Sequence, residues 1–336
     1  MRRAGNWGQG GMRRAKDEIV KSDFSIITVG LCPAWDITCC GEGLDWGQHK
    51  IVTSTGPVPA GKALNISRAL AWMGQKTVAA GLWGRDDYQQ MLKAMQSLRK
   101  FITVRMTTVE GGTRRNITVV DTVRHREMHL RHKSELVSRK ALKKLKGDLG
   151  RLVGKNSVCI FAGLMSEGKL VGDIIGIIKD CAACGAKIVV DTSGEALKKI
   201  VDTDVCWMIK PNVAELCELA GQKVTDEPLS LVKAGRRLLQ KVEIVLISRG
   251  RTGAIAVTKK GAWQGHCAGR GEVLSTVGCG DYLLAGFLEG LKNEAGEDYA
   301  LQTAIRVATA KAWDWPEKRK WSQVLKKIKV EVGQLE

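Results

Sequence analysis

The sequence predicts an α/β fold, a parallel sheet covered by helices with a second, smaller sheet, on three observations. Short β-branched runs alternate with longer stretches of helical period, the signature of a parallel sheet flanked by helices. Two stretches, about 36–58 and about 102–131, break that rhythm with polar-faced β segments and no helix between them, which predicts a second, smaller sheet. The composition, 44% hydrophobic and 26% charged over 336 residues, is globular and supplies enough apolar side chain for a large core.

The elements follow in chain order. Residues 1–22 are expected to form a flexible basic extension, 23–330 one large domain and 331–336 a C-terminal tail. Apolar runs predict strands at 25–29, 77–80, 158–161, 187–190, 207–209 and 244–248. A helix over 65–73 stops at Gly74, and another over 138–152 carries Leu142, Leu145, Leu149 and Leu152 on one face. A third, over 212–220, has an Asn at its N-cap and Gly221 beyond its end. Residues 254–258 and 262–266 flank Lys259-Lys260-Gly261, a hairpin signal.

Charge and cysteine usage narrow the function. Lys and Arg number 53 against 35 Asp and Glu, and residues 99–155 hold sixteen of the basic groups with only five acidic ones. Clustered cations suit nucleic acid, but aromatic residues do not interleave with them as stacking platforms. A solvated basic helix with basic tails is the reading kept, with no nucleic-acid partner. No apolar run approaches the roughly 18 residues of a membrane span. Ten cysteines in a chain this long make no dense disulfide framework. Cys181 and Cys184 have CxxC spacing without the second pair of a zinc site, and reduced thiols in a cytoplasm are expected. His125, His129 and His132 are spaced for one helical face, but Arg124, Arg126, Arg131 and Lys133 around them repel a cation. Trp313, Trp315 and Trp321 read as anchors for a terminal helix.

The strongest local signal is the turn Ser275-Thr-Val-Gly-Cys-Gly-Asp281, which runs into an amphipathic helix. Gly278 and Gly280 let successive backbone N–H groups converge, an anion hole with Cys279 between them. In the first helical turn, the Asp281 carboxylate is placed to take a proton from a hydroxyl while those N–H groups stabilise a transferring phosphoryl group. A plain glycine turn with Asp281 set against the helix dipole is the bland alternative. Four further segments bear on the choice. Pro59-Ala-Gly61-Lys62 is a small-residue loop with Asn65 near the helix start. Arg114 and Asn116 alternate, so on a strand they share a side. Lys210-Pro-Asn212-Val-Ala-Glu215 ends a strand and sets Asn212 and Glu215 one helical turn apart. Ser248-Arg-Gly250-Arg-Thr-Gly253 is a second glycine turn after a strand.

This ordered set resembles the phosphofructokinase-B sugar kinases, the ribokinase-like family, from about residue 26 to about residue 312. The turns at Pro33–Asp36 and Gly81–Asp87 and the Thr-Arg-x-Asn element look like its hexose-phosphate branch, typified by 1-phosphofructokinase and tagatose-6-phosphate kinase. The resemblance implies a ribokinase-like kinase domain, a three-layer α/β/α sandwich with a small β-sheet lid over the site. It implies ATP-dependent phosphorylation of fructose 1-phosphate to fructose 1,6-bisphosphate, with another sugar kinase of the family, or a non-catalytic sugar-phosphate sensor, as alternatives. It makes Asp281 the general base and Gly278, Cys279 and Gly280 the anion hole. It gives Asp36, Gly61, Asn65 and Asn116 to the sugar, and Lys62 and Arg114 to the phosphate that the sugar already carries. It gives Lys210, Asn212, Glu215, Ser248, Gly250 and Gly253 to ATP, with Asn212 and Glu215 holding Mg²⁺ through water. A homodimer is one assembly it allows. The chain departs from the family pattern at Ala60 and Ala63 around Lys62, where glycines are usual, and at Cys32, Tyr282 and Gly163-Leu-Met-Ser166.

Overall fold

The computed structural model describes residues 24–165, 168–293, 295–316 and 318–335. The basic extension expected over 1–22 lies outside them. Two sheets organise the chain. Strands β1 (Ser25–Gly30), β4 (Thr77–Gly84), β5 (Ile102–Val109), β8 (Ser157–Ala162), β9 (Lys187–Asp191), β10 (Cys206–Ile209) and β11 (Ile244–Ser248) pair in parallel in the order β5-β4-β1-β8-β9-β10-β11. Antiparallel strands β12 (Ala254–Thr258), β13 (Gly261–Cys267) and β14 (Val330–Leu335) extend the far edge to ten strands. The second sheet, of four strands, has the order β3-β2-β6-β7, from β2 (Ala34–Gly41), β3 (Thr53–Ala60), β6 (Arg115–Asp121) and β7 (Arg126–Arg131).

Strands β1 and β8 show why the large sheet is sandwiched. Ile27, Val29, Cys159 and Phe161 feed one core, while Ile26, Val158 and Ile160 feed the core on the opposite face. A parallel sheet apolar on both sides has to be covered on both. Helices α3 (Arg139–Gly150), α4 (Val171–Ala183), α5 (Gly194–Val201), α6 (Val213–Ala220) and α7 (Pro228–Leu238) cover the first face. Helices α1 (Lys62–Trp72), α8 (Cys279–Lys292), α9 (Glu297–Ala312) and α10 (Trp321–Lys327) cover the second. Short α2 (Tyr88–Ala94) closes the β5 edge. In α3, Ser138 caps Ala141 and the expected Leu142, Leu145 and Leu149 are buried. Trp321 packs edge-on to Trp72 at 5.3 Å, and Trp72 donates to the Arg319 carbonyl at 2.8 Å, so the tryptophans do pin the C-terminal segment to the core. No described helix is long and apolar enough to cross a membrane.

Three expectations are corrected. Residues 102–109 are not lid: β5 pairs in register with β4, and its alternation arises because Ile102, Val104 and Met106 pack on the side of Trp83 and Met91, while on the other side Thr103 and Arg105 meet solvent before Thr107 is buried against Asp148 of α3. Residues 331–335 are not a tail, because β14 pairs with β13 and sends Val330 and Val332 against the second core. His125, His129 and His132 share no helix face: His129 lies on β7, His125 in the turn before it at φ 50° and His132 just after it. His129 instead hydrogen-bonds Thr118 at 3.1 Å and Glu127 at 3.2 Å. All ten cysteines are free, and the hydrogen bond with Cys181, reinforced by burial, raises the Cys159 thiol pKa.

Candidate active site

The carboxyl ends of the parallel strands and the facing side of the small sheet enclose a cleft of about 980 Å³. In open α/β sheets this end is where ligands bind. Asp281, Gly278, Gly280, Lys62, Asn65 and Lys210 line its floor, and Asp36, Arg114, Asn116, Arg131 and Lys133 line its lid side.

Helix α8 begins at Gly278, whose φ of 79° places it in the left-handed region, and Asp281 follows in the first turn. The Asp281 carboxylate is 5% exposed and accepts a hydrogen bond from Asn65 Nδ2 at 2.7 Å. Burial, reinforced by the neighbouring charge of Asp191, pushes its pKa up to about 7, against the opposing pull of Asn65, Lys62 and Lys210. A carboxylate tuned to neutral pH can act as a general base there.

Lys62 is the first residue of α1, and its Nζ lies 2.9 Å from Asp191 Oδ1. Lys210, next after β10, approaches the same oxygen at 3.4 Å. Burial works against the Lys62 ammonium, but Asp191, Asp281 and Glu215 together hold its pKa above the ordinary lysine value. Asp191 itself is fully buried, and its Oδ2 has no partner among the described residues. This aspartate is absent from the residues expected on sequence. Its signal was an acid closing the apolar run Ile188-Val-Val-Asp191, hence at the ligand end of a central strand.

The alanines flanking Gly61-Lys62 need no positive φ. Only Gly61 takes positive φ, at 118°; Ala60 ends β3, and Ala63 lies inside α1 with its Cβ close against Gly30. Tyr282 is accommodated by burial, 6.4 Å from the Trp72 ring, with Lys311 above its own ring. Cys32 lines the cleft, and burial raises its thiol pKa.

On the lid side, Asn116 Nδ2 donates to Asp36 Oδ1 at 2.9 Å, while Asn116 Oδ1 is buried without a partner among the described residues. Arg114 donates to the carbonyls of Cys32 at 3.1 Å and of Pro33 and His132 at 3.2 Å, splinting the lid to β1's exit loop. Its approach is set by Asp87, which accepts from Trp83 Nε1 at 2.7 Å and from the Thr113 backbone and hydroxyl at 2.9 Å.

The remaining expected residues do not line this cleft. Asn212 and Glu215 form a reciprocal capping box at the start of α6, Asn212 Oδ1 accepting from the Glu215 N–H at 2.9 Å and Glu215 Oε2 from the Asn212 N–H at 2.8 Å. Ser248 bridges to Asn212 at the end of β11. Gly253 has a structural reason to be glycine, since a Cβ there would stand 2.0 Å from the Gly265 carbonyl oxygen; Gly250 has open space around it. These residues form a neighbouring shelf along the strand ends.

The arrangement therefore offers a base, two lysines and a helix N-terminus at one point, the parts that phosphoryl transfer to an alcohol requires. Comparison with known proteins agrees. A tagatose-6-phosphate kinase of Staphylococcus epidermidis is 25% identical over 281 residues, 83% of this chain and 89% of that one. A 1-phosphofructokinase of Escherichia coli is 27% identical over 289 residues, 84% and 89% of the two chains. The structure of phosphofructokinase-2 from Escherichia coli in complex with fructose-6-phosphate matches the fold with a TM-score of 0.81 at 19% identity, covering 90% of this chain and 100% of that one. The model of the pfkB family carbohydrate kinases matches residues 24–312. The chain belongs to the pfkB family of carbohydrate kinases, phosphotransferases that act on a hydroxyl group.

Proposed function

We propose that the protein transfers the terminal phosphoryl group of ATP to a hydroxyl of a sugar phosphate, with fructose 1-phosphate as the acceptor and fructose 1,6-bisphosphate as the product. The observation that carries the reading is the buried Asp281 at the mouth of α8, with its pKa raised to about 7 and Lys62, Lys210 and Asn65 in the same cleft. The relatives named above support a phosphorylated hexose as acceptor.

In this mechanism the acceptor hydroxyl lies against Asp281, which takes its proton as the oxygen attacks phosphorus. Asn65 holds the carboxylate through Oδ2 and leaves Oδ1 for the substrate. The backbone of Gly278, Cys279 and Gly280 and the ammonium groups of Lys62 and Lys210 stabilise charge on the moving phosphoryl. Asp36 and Asn116 receive sugar hydroxyls, and Gly61 lets the chain pass close to the sugar. ATP lies along the shelf formed by Asn212, Glu215, Ser248, Gly250 and Gly253.

The carboxylates fit Mg²⁺. Asp191 Oδ2 is a buried, unpartnered oxygen among the described residues, and Glu215 uses only Oε2 in its capping box. Such hard oxygens suit an ion that keeps several waters, with Asn212 beside them. Asp191, Asn212 and Glu215 would hold it, and it would supply charge neutralisation on the nucleotide phosphates.

A coupled ADP-release assay over a panel of sugars and sugar phosphates tests the reading, with fructose 1-phosphate expected to give the highest kcat/KM. A higher value for tagatose 6-phosphate would move the assignment to that substrate. Sugar-phosphate binding without ADP release would show a sensor instead of an enzyme.

A further inference from the structure

Helices α8 and α9 lie against each other along a seam of small residues. A Cβ added at Gly290 would stand 2.4 Å from Ala300 Cα, and one added at Gly286 would stand 2.8 Å from Ala304 Cα. Only glycine permits backbones to approach so closely, and the contact fixes an antiparallel register. That register brings the last turn of α9 to the first turn of α8. There Lys311 Cε lies 3.8 Å from the position a Cβ would take on Gly278. At the other glycine of the same turn, Lys210 Nζ lies 3.4 Å from the corresponding position on Gly280. Two lysines thus flank the anion hole, one at each glycine.

A lysine in the last turn of a helix commonly serves the orphan carbonyls and the dipole of that helix. Here the carbonyls are already taken. Those of Thr309, Ala310 and Lys311 accept from the N–H groups of Trp313, Trp315 and Asp314, and that of Ala312 accepts from Leu274 at 2.8 Å. The last of these bonds also hangs the segment leading into the anion turn from the end of α9. The Lys311 side chain is half-buried, its Nζ lies 5.7 Å from the centroid of the Tyr282 ring, and it has no acidic partner among the described residues. A cation held beside an anion hole without a counter-ion suits an anionic ligand.

The other two lysines belong to the acceptor side. Lys62 and Lys210 line the cleft, share Asp191 and pull on Asp281. Lys311 does not line that cleft, and its charge acts on the Cys279 thiol, opposing the burial that raises the thiol pKa. Its place is across the turn from the base.

We propose that Lys311 is a further catalytic residue, a cation on the donor side of the turn that binds the terminal phosphates of the nucleotide and neutralises the leaving group. The proposal rests on the kinase reading above. As the acceptor oxygen bonds to phosphorus, its proton passes to Asp281, and the electron pair of the breaking P–O bond stays on the bridging oxygen of the departing ADP. Lys311 meets that growing charge, while Lys62 and Lys210 meet the charge of the phosphoryl group in transit.

The test combines nucleotide titrations with steady-state kinetics for wild type, Lys311→Met, which keeps the apolar stem beside Tyr282, and Lys311→Arg, which keeps the charge. Lys311→Met is expected to weaken ADP binding about 10-fold and to leave AMP, which lacks the terminal phosphate, within about twofold, the scale of one charge-assisted hydrogen bond. With ATP and fructose 1-phosphate, kcat/KM for ATP should fall at least about 10-fold, while KM for the sugar phosphate and the pH of the acid limb of kcat stay as in wild type. Lys311→Arg should recover ADP binding to within about threefold. Equal weakening of ADP and AMP would show a merely structural lysine and overturn the proposal, as would unchanged ADP binding in Lys311→Met; either result leaves the kinase reading intact. A wild type that binds no ADP and turns over no ATP would overturn both.

Discussion

On the floor of the cleft, Lys62 and Lys210 both lie within 3.4 Å of the fully buried Asp191, whereas on the lid side Arg131 and Lys133 face water without an acidic partner. The same kinds of charge thus do different work. Desolvation on the floor raises the Asp281 pKa to about 7, and Asp191 holds each ammonium, which suits chemistry that tolerates little movement. Solvation on the lid leaves charges mobile and cheap to pair, which suits recognition of a ligand that must come and go. The backbone follows the same division. The floor hangs from parallel strands buried on both faces, while β3 and β7 of the lid are largely exposed.

Breaking the floor should have the larger effects. Asp281→Asn removes the base, and kcat is expected to fall about 10²- to 10⁴-fold with the fold intact; turnover like wild type would remove the role. The same substitution should stabilise the protein above pH 7. The folded-state pKa of Asp281 is raised, so its contribution is favourable below about pH 4 and is lost as pH rises through about 7. Asn carries no charge to bury, and a Tm a few degrees above wild type at pH 8, but not at pH 4, is the expected scan.

Asp191→Asn tests the pairing itself. It leaves two lysines without their carboxylate, and a loss of about 1–3 kcal/mol in denaturant unfolding is expected, with a lower kcat. Stability equal to wild type would mean that the lysines are held by something else.

Arg114→Ala sharpens the boundary between the two regions, because it cuts the splint joining lid to floor. About 1–3 kcal/mol should be lost on unfolding, as three carbonyls lose a charged donor. A variant with unchanged stability but a raised KM for sugar phosphate would make Arg114 a ligand of the acceptor phosphate and not a splint.

Much of the floor was legible in the sequence because its signals are local. Gly278, Gly280 and Asp281 lie within one turn, and on the neighbouring shelf the capping box of Asn212 and Glu215 is likewise a four-residue pattern. Asp191 escaped because its meaning depends on two lysines 129 and 19 positions away, brought to it only by strand order. The lid was harder for the same reason. Arg131 and Lys133 read as part of a solvated basic stretch until the pairing of β6 with β7 set Arg131 beside Asn116. The misplacement of 102–109 shows the limit of alternation as a signal: an edge strand half covered by α2 has the same pattern as a strand of a small free sheet.

The central claim is that Asp281 is a base whose pKa is raised by burial and by Asp191. The pH dependence of kcat from pH 5 to 9, taken in wild type and Asp191→Asn, tests it most directly, because ionisation of the substrate phosphate is common to both. Wild type should lose activity as pH falls through about 7, and the variant, lacking the neighbouring negative charge, should keep activity to lower pH. An acid limb at the same pH in both proteins would contradict the account.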